Sequence, residues 1–252
     1  MKPLFIASCS FGKDSIATIL LALEHGEPLD RVVFAEVMFD HKRGISGEIP
    51  EHIEWIYTTA IPELERMGVK VDVVKATTDY VHWFHNIPKG KYFPKKEGFL
   101  IGGMCKLNSM CKVKPIRDYY KKFGDTPVVQ YIGIAADETK RLKRMKGNKV
   151  SLLAKYGYTE QMAMDLCRKH NLVSPIYQLN NRGGCWFCPN AKVKYFVQLR
   201  RDHPHLWKEI LLLSKEENLI SQNFKYGKSL FEIEQEMNNI ELNTKLQLKL
   251  DL

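Results

Sequence analysis

Ser10-Phe11-Gly12-Lys13-Asp14-Ser15 stands directly after the apolar run Leu4-Phe5-Ile6-Ala7 and directly before Ile16 to Leu23, whose apolar residues recur at helical spacing. The apolar run reads as a buried strand, so the segment reads as strand, short turn, helix. That geometry aims backbone N–H groups and the positive end of the helix dipole at one spot, which suits a phosphate. Gly12 lets the backbone approach a ligand closely, Lys13 adds a positive charge, and the Ser10 and Ser15 hydroxyls add donors. The Gly-x4-Gly-Lys-Ser/Thr spacing of the kinase and GTPase loop is absent. The plain alternative is an ordinary strand–helix turn with a helix N-cap.

Outward from this point, Arg31 to Phe39 reads as a second strand, running into a loop from Asp40 to Gly47. Pro50 to Met67 has helical spacing and ends at Gly68, and Val69 to Ala76 reads as a third strand. Ile116 to Phe123 reads as a helix closed by Gly124, and Val128 to Ala135 as a fourth strand. Strand alternating with helix predicts an α/β fold, a parallel sheet with helices on both faces. Ligands of such sheets bind beyond the carboxyl ends of the strands, where the Ser10 loop, Asp40 and Gly133 to Glu138 would converge.

Thr77 to Lys112 interrupts the alternation with a long aromatic-, glycine- and lysine-rich segment of little periodicity. Tyr158 to Leu172 reads as a helix, followed by Pro175-Ile176-Tyr177 as an extended piece. Pro189 to Arg201, His203 to Leu213 and Ser229 to Met237 read as helices of a C-terminal cap. The weak alternation of Asn239 to Leu252 assigns no element. The expected division is a nucleotide-binding α/β domain over 1–178 and a small helical cap over 179–252.

The 252 residues can bury one sizeable core, and no run of about 18 apolar residues exists to span a membrane. With no secretory leader pattern, the expectation is a cytoplasmic protein whose six cysteines are thiols or metal ligands rather than disulfides. The net charge of +9 is uneven: Lys89 to Lys149 holds sixteen Lys/Arg against five Asp/Glu. Such a block attracts phosphate-rich partners, a small nucleotide or a nucleic acid, or is simply a solvated basic surface.

Four cysteines fall in two clusters. Cys185-Trp186-Phe187-Cys188, framed by Gly183-Gly184 and Pro189, is a Cys-x2-Cys turn opening a helix, and Cys105 with Cys111 lies in the long segment. Together they offer four thiolates, a set that serves either zinc or an iron–sulfur cluster. Cys9 and Cys167 read as core packing.

The hexapeptide resembles the Ser-Gly-Gly-x-Asp-Ser loop of the PP-loop ATP pyrophosphatases, with Phe11 in place of the middle glycine. Three further motifs follow in order: Cys111-Lys112-Val113-Lys114-Pro115-Ile116, Gly133-Ile134-Ala135-Ala136-Asp137-Glu138-Thr139-Lys140-Arg141, and the Cys-x2-Cys turn. Over about residues 1 to 200 the chain thus resembles the phosphoadenosine phosphosulfate reductase family in the broad sense. The resemblance implies a Rossmann-like (HUP-type) fold. It differs from the true reductases in having no cysteine after Cys188, and in Ala135 where an arginine usually meets the nucleotide.

The resemblance implies an adenine nucleotide, ATP or a sulfonucleotide, held by Ser10, Phe11, Gly12, Lys13, Asp14 and Ser15, with adenine near Val37 to Asp40 (Phe39 and Asp40 above all) and further contacts from Gly133, Ile134, Asp137 and Glu138. Lys13, Asp14 and Arg141 are the candidate catalytic residues: Lys13 for developing negative charge, Asp14 as a Mg2+ ligand or a helix cap, Arg141 as a phosphate clamp. Asp137 and Glu138 would coordinate a second ion or hold Lys140 and Arg141. The Glu48-x-x-Glu51 pair would cap the following helix. The metal candidates are Cys105, Cys111, Cys185 and Cys188, for a [4Fe-4S] cluster or Zn2+. The expected chemistry is cleavage of ATP at the α-phosphate to activate a substrate, with coupling to sulfur transfer as an extension. The alternatives are a sulfonucleotide reductase and a non-catalytic nucleotide-dependent module of a nucleic-acid complex. Expected partners are the adenine nucleotide, a nucleic-acid substrate or a nucleoprotein partner, and other copies of the chain, with no membrane.

Overall fold

A computed structural model describes residues 2–101, 105–179 and 184–250. The apolar run after Lys2 forms β1 (Leu4–Ser8), followed by α1 (Lys13–Glu24) and β2 (Arg31–Glu36). The expected long second strand is broken at Val37, because the chain turns out of the sheet. β3 (Met38–Asp40) pairs antiparallel with β4 (Ile45–Ser46) as a separate hairpin.

The predicted helix from Pro50 is two α-helical pieces, α2 (Pro50–Trp55) and α3 (Ile61–Arg66), joined by a π-helical turn over Ile56–Ala60. β5 (Val71–Lys75) follows. The long segment is not structureless: Asp79 caps α4 (Tyr80–His85) by accepting from the His82 N–H at 2.7 Å, and a π-helical turn over Asn108–Val113 leads into α5 (Lys114–Tyr120). Its mixed aromatics hid the helix because they serve a core on one side only. β6 (Val128–Ile132), α6 (Thr139–Leu142), β7 (Lys149–Val150), α7 (Leu152–Lys155) and α8 (Glu160–Lys169) complete the α/β part.

The five-stranded sheet has the order β5-β2-β1-β6-β7, and every neighbouring pair is parallel. The chain runs outward from β1 to β5, then returns to the other side of β1 at β6. The crevice between the ends of β1 and β6 is therefore the switch point of the sheet, where open α/β folds bind ligands. One face buries Ile16, Leu20, Leu21, Ile56, Leu64, Leu152 and Leu166 under α1, α3, α7 and α8. The other buries Ile6 and Val33 against Tyr119 of α5. Helices cover both faces.

The stretch expected to be extended at Pro175-Ile176-Tyr177 instead turns at Pro175 into α9 (Ile176–Leu179). The C-terminal helices are α10 (Val193–Asp202), α11 (Pro204–Ser214) and α12 (Leu230–Leu250), with a hairpin of β8 (Asn223–Lys225) and β9 (Lys228–Ser229) between the last two. α12 takes in the stretch from Asn239 to Leu250 that alternation left unassigned; residues 251–252 lie outside the described residues. These helices pack a second core of Phe196, Trp207, Phe224 and Ile233 together with Phe39, Tyr80, Phe84 and Trp186. That core thus draws residues from both sides of the 178/179 division.

Gly133, just past β6, rests on the first turn of α1. A Cβ there would lie 2.6 Å from the Asp14 carbonyl carbon and 2.7 Å from the Ser15 nitrogen, so neither backbone can yield locally. Gly133→Ala is expected to cost about 1–3 kcal/mol through overpacking. Guanidinium denaturation measures it, and an unchanged midpoint would contradict this packing.

Candidate functional site

The Ser10–Ser15 loop is built around a buried ring. Phe11 lies in the left-handed region at φ 58°, a genuine outlier for a bulky residue, and its side chain is fully buried. It meets Phe34 edge-on, with centroids 5.2 Å apart. The turn is pinned from beneath: the Ser10 N–H donates to Ser15 Oγ at 3.2 Å, Ser15 Oγ donates to the Gly12 carbonyl at 2.9 Å, and the Phe11 N–H reaches Cys9 Sγ at 3.2 Å. Cys167 Sγ donates to the Lys13 carbonyl at 3.2 Å. Burial pushes the thiols of Cys9 and Cys167 up to about 11 and about 12, so both stay protonated. The two cysteines expected in the core therefore also support the loop.

Two supports come from distant segments. Tyr177 accepts the Lys13 N–H at 2.7 Å and lies 3.2 Å from where a Gly12 Cβ would stand. His52, buried in α2, contacts Ser174 Oγ at 2.7 Å and the Ser10 carbonyl at 3.3 Å. Gly12 caps α1 without a side-chain acceptor; the Lys13 N–H goes to Tyr177 and the Ser15 N–H to the Gly12 carbonyl at 3.1 Å, so what the turn offers an anion is chiefly the positive end of the helix dipole.

Two adjoining clefts open over this loop and share Ser10, Gly12, Asp14, Lys112 and Arg141. The first, about 340 Å³, is polar and adds Lys13, Glu48, Glu138, Glu160, Tyr177 and Gly184. The second, about 400 Å³, adds Ala35, Val113, Ile116, Ile132 and Gly133 at the switch point. A phosphate chain suits the first and a planar base the second.

Cations and carboxylates alternate in the polar cleft. Lys13 Nζ donates to Asp14 Oδ1 at 2.8 Å and to Glu160 Oε2 at 2.8 Å. Burial alone would lower its pKa, but these two carboxylates outweigh burial and hold it above the usual value. Burial raises Asp14, helped by Glu160 and Glu138, against the pull of Lys13. Arg141 Nη1 grips Glu138 at 2.5 and 2.7 Å. Lys112 lies 3.5 Å from the buried Glu48, whose charge lifts the ammonium further from neutrality. Polyphosphate can take over these cations, releasing carboxylates to a bound Mg2+.

Among the predicted contacts, Ser10, Gly12, Lys13, Asp14, Ser15, Gly133, Glu138 and Arg141 line the clefts. Phe11 lies beneath them. Ile134 is buried, its carbonyl accepting from Ser151, and Asp137 accepts the Glu160 N–H at 3.2 Å at the start of α8, whose N-cap is Thr159. Phe39 and Asp40 are elsewhere: Phe39 packs on Trp186 at 4.6 Å, and Asp40 Oδ1 accepts from the Lys42 N–H at 2.9 Å. The break at Val37 carries both out of the sheet, and Ala35 takes the cleft position instead. Glu48 caps nothing, since Ile49 is the N-cap of α2, and Glu51 pairs with His203 at 3.0 Å. Glu160, Tyr177 and Asn108 carry no sequence motif; Lys112, Val113 and Ile116 lie inside the motif that opens at Cys111, and Glu48 reads from sequence only as a helix cap.

The cysteine clusters approach one another beyond Glu48, which forms a backbone bridge with Cys185. Burial raises the Cys185 thiol to about 12; Lys112 opposes this, and the charges of Glu48, Cys188 and Cys105 add to it. Cys111 Sγ donates to the Thr78 carbonyl at 3.3 Å. Trp186 and Phe187 are buried core residues. Among the described residues no three acidic, cysteine or histidine side chains close on a single point. The Tyr195 hydroxyl, however, is buried without a partner among the described residues, and it lies within the field of Cys185 and Cys188. A buried hydroxyl with no partner among the described residues fits a nearby group that accepts hydrogen bonds, as metal-bound thiolate or sulfide does.

No protein-family model matches the sequence, and no curated protein matches it. Among solved structures the chain is similar to the U34-tRNA thiolase NcsA from Methanococcus maripaludis with its [4Fe-4S] cluster. The identity is 14%, over 86% of this chain and 74% of that one, with a TM-score of 0.42.

Burial lowers the His52 pKa below its ordinary 6.5, so the folded chain binds this proton less readily than the unfolded chain. Its contribution is fully present above that value and is lost as pH falls through it. Urea midpoints taken at about pH 7.5 and about pH 5.5 should drop more for the wild type than for His52→Asn. Equal drops would contradict a neutral His52 under the loop.

Proposed function

We propose that the chain binds an adenine nucleotide over the Ser10–Ser15 loop and cleaves ATP at the α-phosphate to activate an acceptor. The observation that carries this reading is the place of the loop: it lies at the sheet's switch point, under a cleft where Lys13, Lys112 and Arg141 face Asp14, Glu138 and Glu160. An acceptor oxygen attacks the α-phosphorus and forms a P–O bond. The bond to the β-phosphate oxygen breaks, and pyrophosphate leaves with Mg2+. Such transfers need positioning and charge neutralisation more than covalent help from the protein. The α1 N-terminus and the Ser10 and Ser15 hydroxyls hold the leaving pyrophosphate. Lys13 meets the developing charge, Asp14 takes the Mg2+ with the phosphates, and Arg141 clamps a phosphate once it leaves Glu138.

Cys105, Cys111, Cys185 and Cys188 are the residues that would hold a [4Fe-4S] cluster or Zn2+. The cluster supplies redox and sulfur chemistry, whereas zinc supplies a clasp. The Lys112–Glu48 pair links the nucleotide cleft to these thiols, which favours coupling of activation to sulfur transfer.

The anaerobically purified protein, given ATP labelled at the α-phosphate, Mg2+ and bulk tRNA or DNA, is expected to release pyrophosphate and put the label on the acceptor, from which water or a sulfur nucleophile displaces it as AMP; ADP as the product would refute the reading. Lys13→Ala should lower that release by about a hundredfold or more, the scale of one lost transition-state donor. Iron, sulfide and zinc analysis tests the thiol site separately. Metal should be present in the wild type and lost in Cys185→Ser, and a metal-free wild type would contradict the site.

A further inference from the structure

Between Thr139 and Val150 the chain carries Lys140, Arg141, Lys143, Arg144, Lys146 and Lys149 with no acidic residue among them. Arg141 turns to Glu138 in the cleft. Lys140, Lys143, Arg144, Lys146 and Lys149 are all exposed, and none has an acidic partner among the described residues. Many other surface cations are paired: Lys114 and Lys121 with Asp118, Lys155 with Glu27, Lys169 with Glu24, Lys228 with Glu236. Five uncompensated charges on one short segment repel each other, and an external polyanion relieves that repulsion.

The position of the segment narrows the partner. It starts at Arg141, which lines both clefts, passes through α6 and the following turn, and ends at the edge strand β7. A ligand lying along it reaches the point where an acceptor must meet the α-phosphate. Leu142 and Met145 are half-buried, so the segment presents charge without an apolar face for inserting into a lipid surface.

We propose that the 140–149 segment is the docking track for the sugar–phosphate backbone of a nucleic acid, whose acceptor atom is thereby delivered to the cleft. This rests on the nucleotide reading above and names the substrate class for the same site. Phosphate contacts of this kind fix register without reading sequence, so specificity must come from elsewhere on the surface.

Fluorescence anisotropy with labelled single-stranded RNA, single-stranded DNA, duplex DNA and bulk tRNA tests it, using the triple variant Lys143→Gln/Arg144→Gln/Lys146→Gln. Each of these side chains is exposed and outside the cleft. The triple variant should bind at least about tenfold more weakly, and the slope of log affinity against log salt should fall by about 2–3, near one unit per lost phosphate contact. Lys89→Gln/Lys91→Gln/Lys95→Gln removes equal charge from another exposed segment and should leave binding near the wild-type level. The preferred polymer identifies the source of the backbone. No nucleic-acid binding by the wild type overturns the proposal. So do equal losses in the two triple variants, or equal binding to anionic phospholipid vesicles. Binding of a fluorescent ATP analogue is measured alongside. If neither protein binds the analogue while the track variant still loses nucleic acid, the nucleotide reading fails and the track stands.

Discussion

The buried Phe11 ring is the constraint on which the rest of the site depends. A phenylalanine at φ 58° costs on the order of 1–3 kcal/mol in backbone strain, and only a side chain locked in place can sustain it. The ring is locked between β1, α1 and Phe34, inside the same core that holds the sheet to its helices. The loop is therefore as rigid as the core beneath it. A glycine at this position would relieve the strain but would leave the turn without an anchor.

Around that anchor the charges of the cleft are paired with one another. Lys13 is shared by Asp14 and Glu160, Arg141 is held by Glu138, and Lys112 faces Glu48. Glu48 also pairs through its backbone with Cys185, which places the cleft next to the Cys-x2-Cys turn. Outside this balance, the 140–149 segment has no such internal partners.

The central architecture was legible in the sequence where local pattern and tertiary demand agree. β1, the loop and α1 follow from an apolar run, a small polar turn and a helical stripe, and the alternation that followed predicted a parallel sheet. Reading failed where a tertiary contact decides the path. Val33 to Phe39 is uniformly apolar apart from Glu36, yet the chain leaves the sheet at Val37 because Phe39 is needed by Tyr80 and Trp186 in the second core. The long segment hid α4 because its apolar residues Tyr80 and Phe84 serve a surface made by residues a hundred positions later. Glu160 and Tyr177 reach the loop from far along the chain, and no spacing rule connects them to Lys13. Gly133 was placed from its motif, but the reason for a glycine there, contact with the backbone of α1, is visible only in three dimensions.

The claim that the Ser10–Ser15 loop is the nucleotide's phosphate site is tested most directly by amide hydrogen exchange with and without ATP and Mg2+. The account predicts slowed exchange concentrated in residues 10–15 and 133–141, the two segments that meet at the switch point. Protection confined to other segments, with these two unchanged by saturating nucleotide, would contradict it.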